Sequence, residues 1–255
     1  MPPSEIRKDA RETLRGKWGK AVCIILVYVA LSLIVGFVEG LIGKGKILYT
    51  IIDLAYLVIS IPLSFGLVIS FMKLKRDEEV SCFDFFKDGF SRFGKSWGIW
   101  FQTFIRLLLP IICFVLIIIL MAGLTIFAKA SNGTTVANPM SPVISLISVV
   151  LYIATIVYVV SRALLYAIAY NIGYDNPELS SKACVLKSEA LMKGNRGNYF
   201  LLELSFIGWA ILACFTLGIG FLWLLPYMQV ATVCFYERVA KPEVKKVEEE
   251  VKIEE

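Results

Sequence analysis

Asn176–Arg238, NPELSSKACVLKSEALMKGNRGNYFLLELSFIGWAILACFTLGIGFLWLLPYMQVATVCFYER, decides the fold. It opens on helix-start signals: Asn176 at an N-cap position, Pro177 at the first helical position where a missing N–H is harmless, and Glu178 near the positive end of the helix dipole. Leu179, Ala183, Leu186 and Ala190 then recur at helical spacing, with Lys193 in the last turn and Gly194 where a left-handed residue ends many helices. Two apolar runs follow, Tyr199–Leu217 and Ile219–Phe235, with so little chain between them that they must double back, hinged at Gly218 and Gly220. The unit is an amphipathic helix, a basic glycine turn and a pair of apolar helices.

Outward from this stretch, the unit recurs. Residues 4–15, SEIRKDARETLR, read as a helix capped by Ser4, with Ile6, Ala10 and Leu14 as a narrow apolar stripe and Gly16 as its stop. The runs Ala21–Val38 and Ile47–Met72 come next, the second carrying Asp53 near its start and Pro62, a hinge residue that removes one backbone donor. The first run is too long for a signal peptide and lacks a clear cleavage site, so it reads as a retained span. Residues 81–93, SCFDFFKDGFSRF, open with an S-x-x-D cap and carry Phe83, Phe86, Phe90 and Phe93 on one face. That face suits either the headgroup boundary of a bilayer or the protein's own bundle. Runs from Trp97 to Ala128 and from Val143 to Tyr170 follow, separated by the polar loop 129–142 with its Asn132-Gly-Thr sequon. The basic turns LRGKWGKA (14–21), SRFGKSWG (91–98) and MKGNRGNY (192–199) precede the successive pairs. The pseudo-repeats are then 4–72, 81–170 and 177–238. Either internal duplication or a shared need for a breaker and positive charge before a helix dives accounts for them.

Composition agrees. Apolar residues make up 58% of the 255 and charged ones 18%, against about 45–50% apolar in ordinary soluble chains. Leu107–Phe127 contains no charged residue and is long enough to span a bilayer. The expected fold class is all-α: a polytopic membrane bundle with six spans as three hairpins, each preceded by a cytoplasmic amphipathic helix. A single membrane domain covers 1–240, and 241–255 is a charged cytoplasmic tail, disordered or a frayed helix. Twenty-one Lys and Arg fall on the side of the termini, against Lys44, Lys46 and Lys129 opposite. The positive-inside bias therefore places both termini in the cytoplasm of a multi-pass cell-membrane protein.

Three charges inside the runs form the candidate site. Arg106, Arg162 and Glu203 fall in the cytoplasmic leaflet, so an Arg–Glu–Arg cluster is geometrically open to them; Asp53 is secondary and lies toward the other side. Glu203 could simply neutralise one arginine while the other snorkels, or the arginines could line a cavity for an anionic substrate or headgroup. The chain has no histidine, and its six cysteines (Cys23, Cys82, Cys113, Cys184, Cys214, Cys234) lack metal spacing and read as small packing residues. No phosphate loop, nucleophile elbow, metal quartet or haem motif is present, so no enzyme, cofactor or nucleic-acid partner is expected. The expected partners are the lipid bilayer and proteins docking on the cytoplasmic helices and tail.

Several local strings also resemble a known family. Asp175-Asn176-Pro177-Glu178-Leu179-Ser180, Leu191-Met192-Lys193-Gly194-Asn195, Leu202 through Trp209, Thr216 through Gly220, Leu222-Trp223, Pro226-Tyr227 and Phe235-Tyr236 resemble the bacterial integral membrane proteins of domain-of-unknown-function family 975. The RGKWGKA and RFGK elements fit its N-terminal part. The resemblance implies a bacterial inner-membrane protein with about six spans and supplies no catalytic residues. Two function classes follow: a non-enzymatic organiser or regulator of membrane partners, or a small transporter or lipid-handling protein working through Arg106, Arg162 and Glu203.

Overall fold

The computed structural model describes residues 2–131 and 140–254; the loop expected over 129–142, with its sequon, falls largely outside them. Among the described residues the chain is helical throughout: α1 (Pro3–Leu14), α2 (Trp18–Ile42), α3 (Ile47–Lys75), α4 (Asp84–Ser91), α5 (Phe93–Ser131), α6 (Met140–Ala163), a 3-10 turn (Leu164–Tyr166), α7 (Ala169–Asp175), α8 (Ser181–Met192), α9 (Arg196–Leu204), α10 (Ile207–Phe215) and α11 (Phe221–Glu254). Neighbours in sequence pack as pairs, α2 with α3, α5 with α6 and α10 with α11. Helical backbone continues through the charged tail.

Among the described residues five helical stretches are long and apolar enough to cross a membrane: Trp18–Ile42, Ile47–Lys75, Phe93–Gly123, Val149–Asp175 and Arg196–Phe215. The sixth run expected, Ile219–Phe235, is not among them. Phe221 and Glu237 lie on one helix, about 24 Å apart along its axis at ~1.5 Å per residue, which is short of the ~30 Å hydrocarbon layer. Its far half is core instead, with Val230, Ala231, Val233, Cys234 and Phe235 buried against the rest of the protein.

The core gathers at one end. The stripe Ile6, Ala10 and Leu14 is fully buried and packs with α11, as its four-residue spacing predicts. The end of α3 from Ile61 to Leu74, together with α7 and α8, completes this platform. Away from it the helices turn apolar faces outward: Leu33, Phe37 and Leu41 on α2, Ile47 and Leu54 on α3, and Ile147 through Val160 on α6. Burying apolar residues only at the basic end and exposing them elsewhere is what a lipid solvent permits and water penalises.

The phenylalanine stripe resolves in an unexpected way. Phe85, not part of it, is fully buried, while Phe83, Phe90 and Phe93 are exposed. Gly89 and Gly66 are the reason. A Cβ on Gly66 would stand 1.9 Å from the Phe85 carbonyl oxygen, and one on Gly89 would stand 2.2 Å from the Pro62 carbonyl oxygen. Backbone therefore lies on backbone, and α4 rolls until Phe85 enters the core. The S-x-x-D signal holds in part: the Ser81 N–H donates to Asp84 Oδ2 at 2.8 Å, but α4 begins at Asp84 after Phe83 with no side-chain cap.

Ser4 does not cap α1, which begins at Pro3 with no side-chain capping bond, and on α8 the buried face is Cys184, Val185, Ser188 and Leu191, while Leu186 of the expected stripe is exposed. Two further expectations need correcting. Asn176 does not begin a helix but closes α7, its backbone and side-chain amides both donating to the Ile172 carbonyl at 2.9 and 3.0 Å. The residue before a proline is pushed out of the helical region, and here Asn176 has φ −123° and ψ 80°. The next helix starts at Ser181, with Ser180 Oγ accepting from the Ala183 N–H at 3.2 Å. Gly194 does sit just past its end, with φ +83°. Second, Cys23 and Cys82 are joined in a disulfide rather than serving as separate packing residues, with Cα atoms 5.7 Å apart.

Candidate functional site at the basic end

The basic residues that flank the apolar runs are knitted to carboxylates and carbonyls at the platform. Lys95, from the second basic turn, donates to the carbonyls of Asn176 and Pro177 at 2.5 and 3.0 Å, which holds the Asn-Pro-Glu-Leu turn against α5. Arg76 grips Asp175 through two hydrogen bonds of 2.7 and 2.9 Å and reaches Glu237 at 3.5 Å. The hydrogen bond to Asp175, opposed by burial, and the charges of Asp175 and Glu237 hold the Arg76 pKa above its ordinary value. Tyr236 donates its hydroxyl to the same Asp175 carboxylate at 2.8 Å. Arg238 meets Asp9 and Glu5 on α1, Lys73 meets Asp88 on α4 at 2.7 Å, and the Arg92 guanidinium lies 4.9 Å over the Tyr174 ring. Charge-assisted bonds of this kind are stronger than neutral ones.

Lys17 closes this edge by binding both the Leu74 carbonyl, at 2.9 Å, and the Asp77 carboxylate. The hydrogen bond and charge of Lys17 pull the Asp77 carboxyl below its ordinary value of 3.8. A depressed carboxylate contributes above its unfolded pKa and loses that contribution as pH falls through the folded one. Because Asp77 is fully exposed, the consequence is read in titration and not in stability. Lys17→Met is expected to move the carboxyl-carbon NMR midpoint of Asp77 upward; an unmoved midpoint would show that Lys17 does not act on it.

The candidate site rearranges. Arg162 pairs with Glu189 of α8 at 3.6 Å and donates to the Tyr166 hydroxyl at 3.2 Å. Arg106 lies 3.3 Å from both the carbonyl and the side-chain oxygen of Gln102. Both arginines and Glu189 lie within electrostatic reach of Tyr166, so Arg106 and Arg162 do share one neighbourhood. Glu203 stands instead beside Tyr199, whose hydroxyl is 3.4 Å from Thr232 Oγ1 on α11. Asp53 is exposed on α3, Pro62 is buried within that helix, and Gly218, with φ +88°, and Gly220 form the turn into α11.

Glu189 is the partner that sequence reasoning missed. The fourth run reads as straight to Tyr170, which would put Arg162 well inside the bilayer. The helix breaks after Ala163, however, and the chain winds through a 3-10 turn before α7. Arg162 there meets α8, where Ser188 also donates to the Leu165 carbonyl at 2.7 Å. A carboxylate one turn before the end of one helix, facing another that ends in arginine, was the available signal.

No metal-binding group of His, Cys, Asp and Glu occurs among the described residues. No curated protein and no solved structure matches the chain. The family described as "Protein of unknown function (DUF975)" matches residues 1–243, and the chain belongs to that family.

Proposed function

We propose that the protein is a non-enzymatic organiser of membrane partners, with three hairpins in the bilayer of the cell membrane and their basic ends in the cytoplasm. Each hairpin follows a shorter helix, α1, α4 or α8, of which α1 and α4 are amphipathic, and the last, formed by α9–α10 and α11, dips less deeply than the others. The observation that carries this reading is on α5. Val115, Leu116, Ile117, Ile118, Ile119 and Leu120 are all exposed, by 36 to 63%. Six consecutive residues at ~100° per residue run around the whole circumference of a helix, so much of this stretch is open to lipid or to another chain even though α5 packs on α6. Its base, by contrast, is fixed: the second basic turn is bonded to the turn before α8.

The experiment is photocrosslinking in cells producing the full chain, with a photoreactive residue at Ile118 and, separately, at Ile119. Discrete protein adducts from at least one position are expected. Lipid adducts alone at both would overturn the organiser reading. The transport reading instead needs Arg106, which has no carboxylate partner among the described residues, to face water; labelling of Gln102→Cys by an impermeant reagent would favour it.

A further inference from the structure

A cavity of about 430 Å³ lies between α1, the start of α2, α10 and the start of α11, and neither Arg106, Arg162 nor their partners Gln102 and Glu189 line it. Its walls are Trp18, Trp209, Leu212, Ala213, Trp223 and Leu224, and its polar end is Arg7 and Arg11. The two arginines stand four residues apart on α1 and so present one face. Several cations at this end of the protein have a carboxylate: Lys17, Lys73, Arg76, Arg162 and Arg238 each sit in an ion pair. Among the described residues Arg7 and Arg11 sit in none, no carboxylate lines the cavity, and Arg7 Nε is buried without a hydrogen-bond partner. A buried donor left unpaired is costly, and Arg7 and Arg11 bring the only formal charges to the cavity wall.

The other end of the cavity names the rest of the ligand. Trp209, Leu212 and Trp223 are 57, 58 and 51% exposed, so the apolar rim opens outward on the same surface as the bare faces of α10. In a membrane protein that surface meets acyl chains. The α1 helix is pinned in place beside it, since the Tyr227 hydroxyl donates to the Arg7 carbonyl at 3.1 Å and the Trp18 and Tyr227 rings are 6.4 Å apart. A free inorganic anion has no use for three tryptophans, and an uncharged lipid has none for two unpaired arginines. We infer that this cavity binds an anionic phospholipid of the surrounding bilayer, its phosphate at Arg7 and Arg11 and an acyl chain along Trp209, Leu212 and Trp223. This inference stands independently of the organiser reading and survives its failure.

The test uses the full chain with Trp97→Phe and Trp100→Phe, which leaves Trp18, Trp209 and Trp223 as the reporters. It is reconstituted into phosphatidylcholine vesicles containing a minor fraction of either phosphatidylglycerol or phosphatidylcholine with brominated acyl chains, which quench nearby indoles. Each arginine near an anionic headgroup favours it roughly fivefold, so the pair predicts a preference for phosphatidylglycerol of about 25-fold. Arg7→Gln with Arg11→Gln is expected to abolish the preference, and Arg7→Lys with Arg11→Lys to retain most of it. Equal quenching by the two lipids, or a preference that persists in the glutamine variant, overturns the proposal. So does full relief of quenching by millimolar inorganic phosphate, which would make the site one for free anions. If the double glutamine variant fails to fold, Arg11→Gln alone must lower the preference by about fivefold, and an unchanged preference overturns the proposal equally.

Discussion

Gly66→Ala is expected to destabilise the platform by about 3 kcal/mol, the upper part of the range for overpacking. The added methyl carbon would stand 1.9 Å from the Phe85 carbonyl oxygen, 2.8 Å from its carbon and 2.9 Å from the Gly89 nitrogen. Every one of these atoms is backbone, so no side chain can rotate aside and α4 must lift from α3. Lifting α4 withdraws Phe85, fully buried, and strains the Lys73–Asp88 pair that bridges the same two helices. Thermal unfolding of the purified protein, followed by helical circular dichroism, should shift down by roughly 6–12 °C for a chain of this size. Gly89→Ala should behave alike, because its methyl meets the Pro62 carbonyl oxygen at 2.2 Å. Gly19→Ala and Gly94→Ala are the controls: a Cβ there meets nothing within 4 Å, and replacing a helical glycine should leave stability unchanged or slightly raised. A Gly66→Ala protein that melts with its controls would show that the two backbones are not in contact.

Asp175→Asn should have the second-largest effect, about 2 kcal/mol. The substitution keeps the shape and removes the charge that Arg76 grips at 2.7 and 2.9 Å and that receives the Tyr236 hydroxyl at 2.8 Å. Breaking a fully buried pair costs about 3–5 kcal/mol, because one charge is left without compensation. Arg76 and Asp175 side chains are 33 and 25% exposed, so water recovers part of that and the expectation falls below the buried range. A double-mutant cycle with Arg76→Gln separates the pair from its surroundings. The double variant should lose at least ~1 kcal/mol less than the sum of the single losses. Additive losses would mean that Asp175 works through Tyr236 alone.

Both predictions concern residues whose importance was invisible along the chain, and the reason is physical. Where a signal is local, the sequence was readable: the buried stripe Ile6, Ala10 and Leu14, the Ser81–Asp84 bond and the left-handed Gly194 each depend on residues within one or two turns. Membrane character was equally legible, because lipid exposure demands long apolar runs irrespective of partners. The failures share a different property. Whether Gly66 is an idle glycine or a contact point depends on Phe85 and Gly89 arriving from another helix. The counter-ion of Arg162 depended on α8 arriving beside the end of α6, which nothing within either helix announces. Asn176 misled because the same residues that begin helices also end them, and only the carbonyl of Ile172 decides between the two. Arg106 and Arg162 could be proposed from charge in an apolar run, whereas Arg7 and Arg11 looked like ordinary solvated residues until α10 and α11 were seen to complete a cavity beside them.

The Cys23–Cys82 bond also carries information about which way the protein faces. It ties α2 to the segment ahead of α4, at the end that holds the basic residues. Charge bias would put that end in a glutathione-buffered compartment, where protein thiols stay reduced. In a growing cell the pair would then stand open as two neighbouring thiols and close only when the cell is broken and air reaches it. Closure would bridge a sequence separation of 59 residues, worth about 4 kcal/mol in chain entropy. Purified protein would thus be sturdier than the same protein at work, and the oxidation state of one cysteine pair, trapped before lysis, would serve as a compass for the whole molecule.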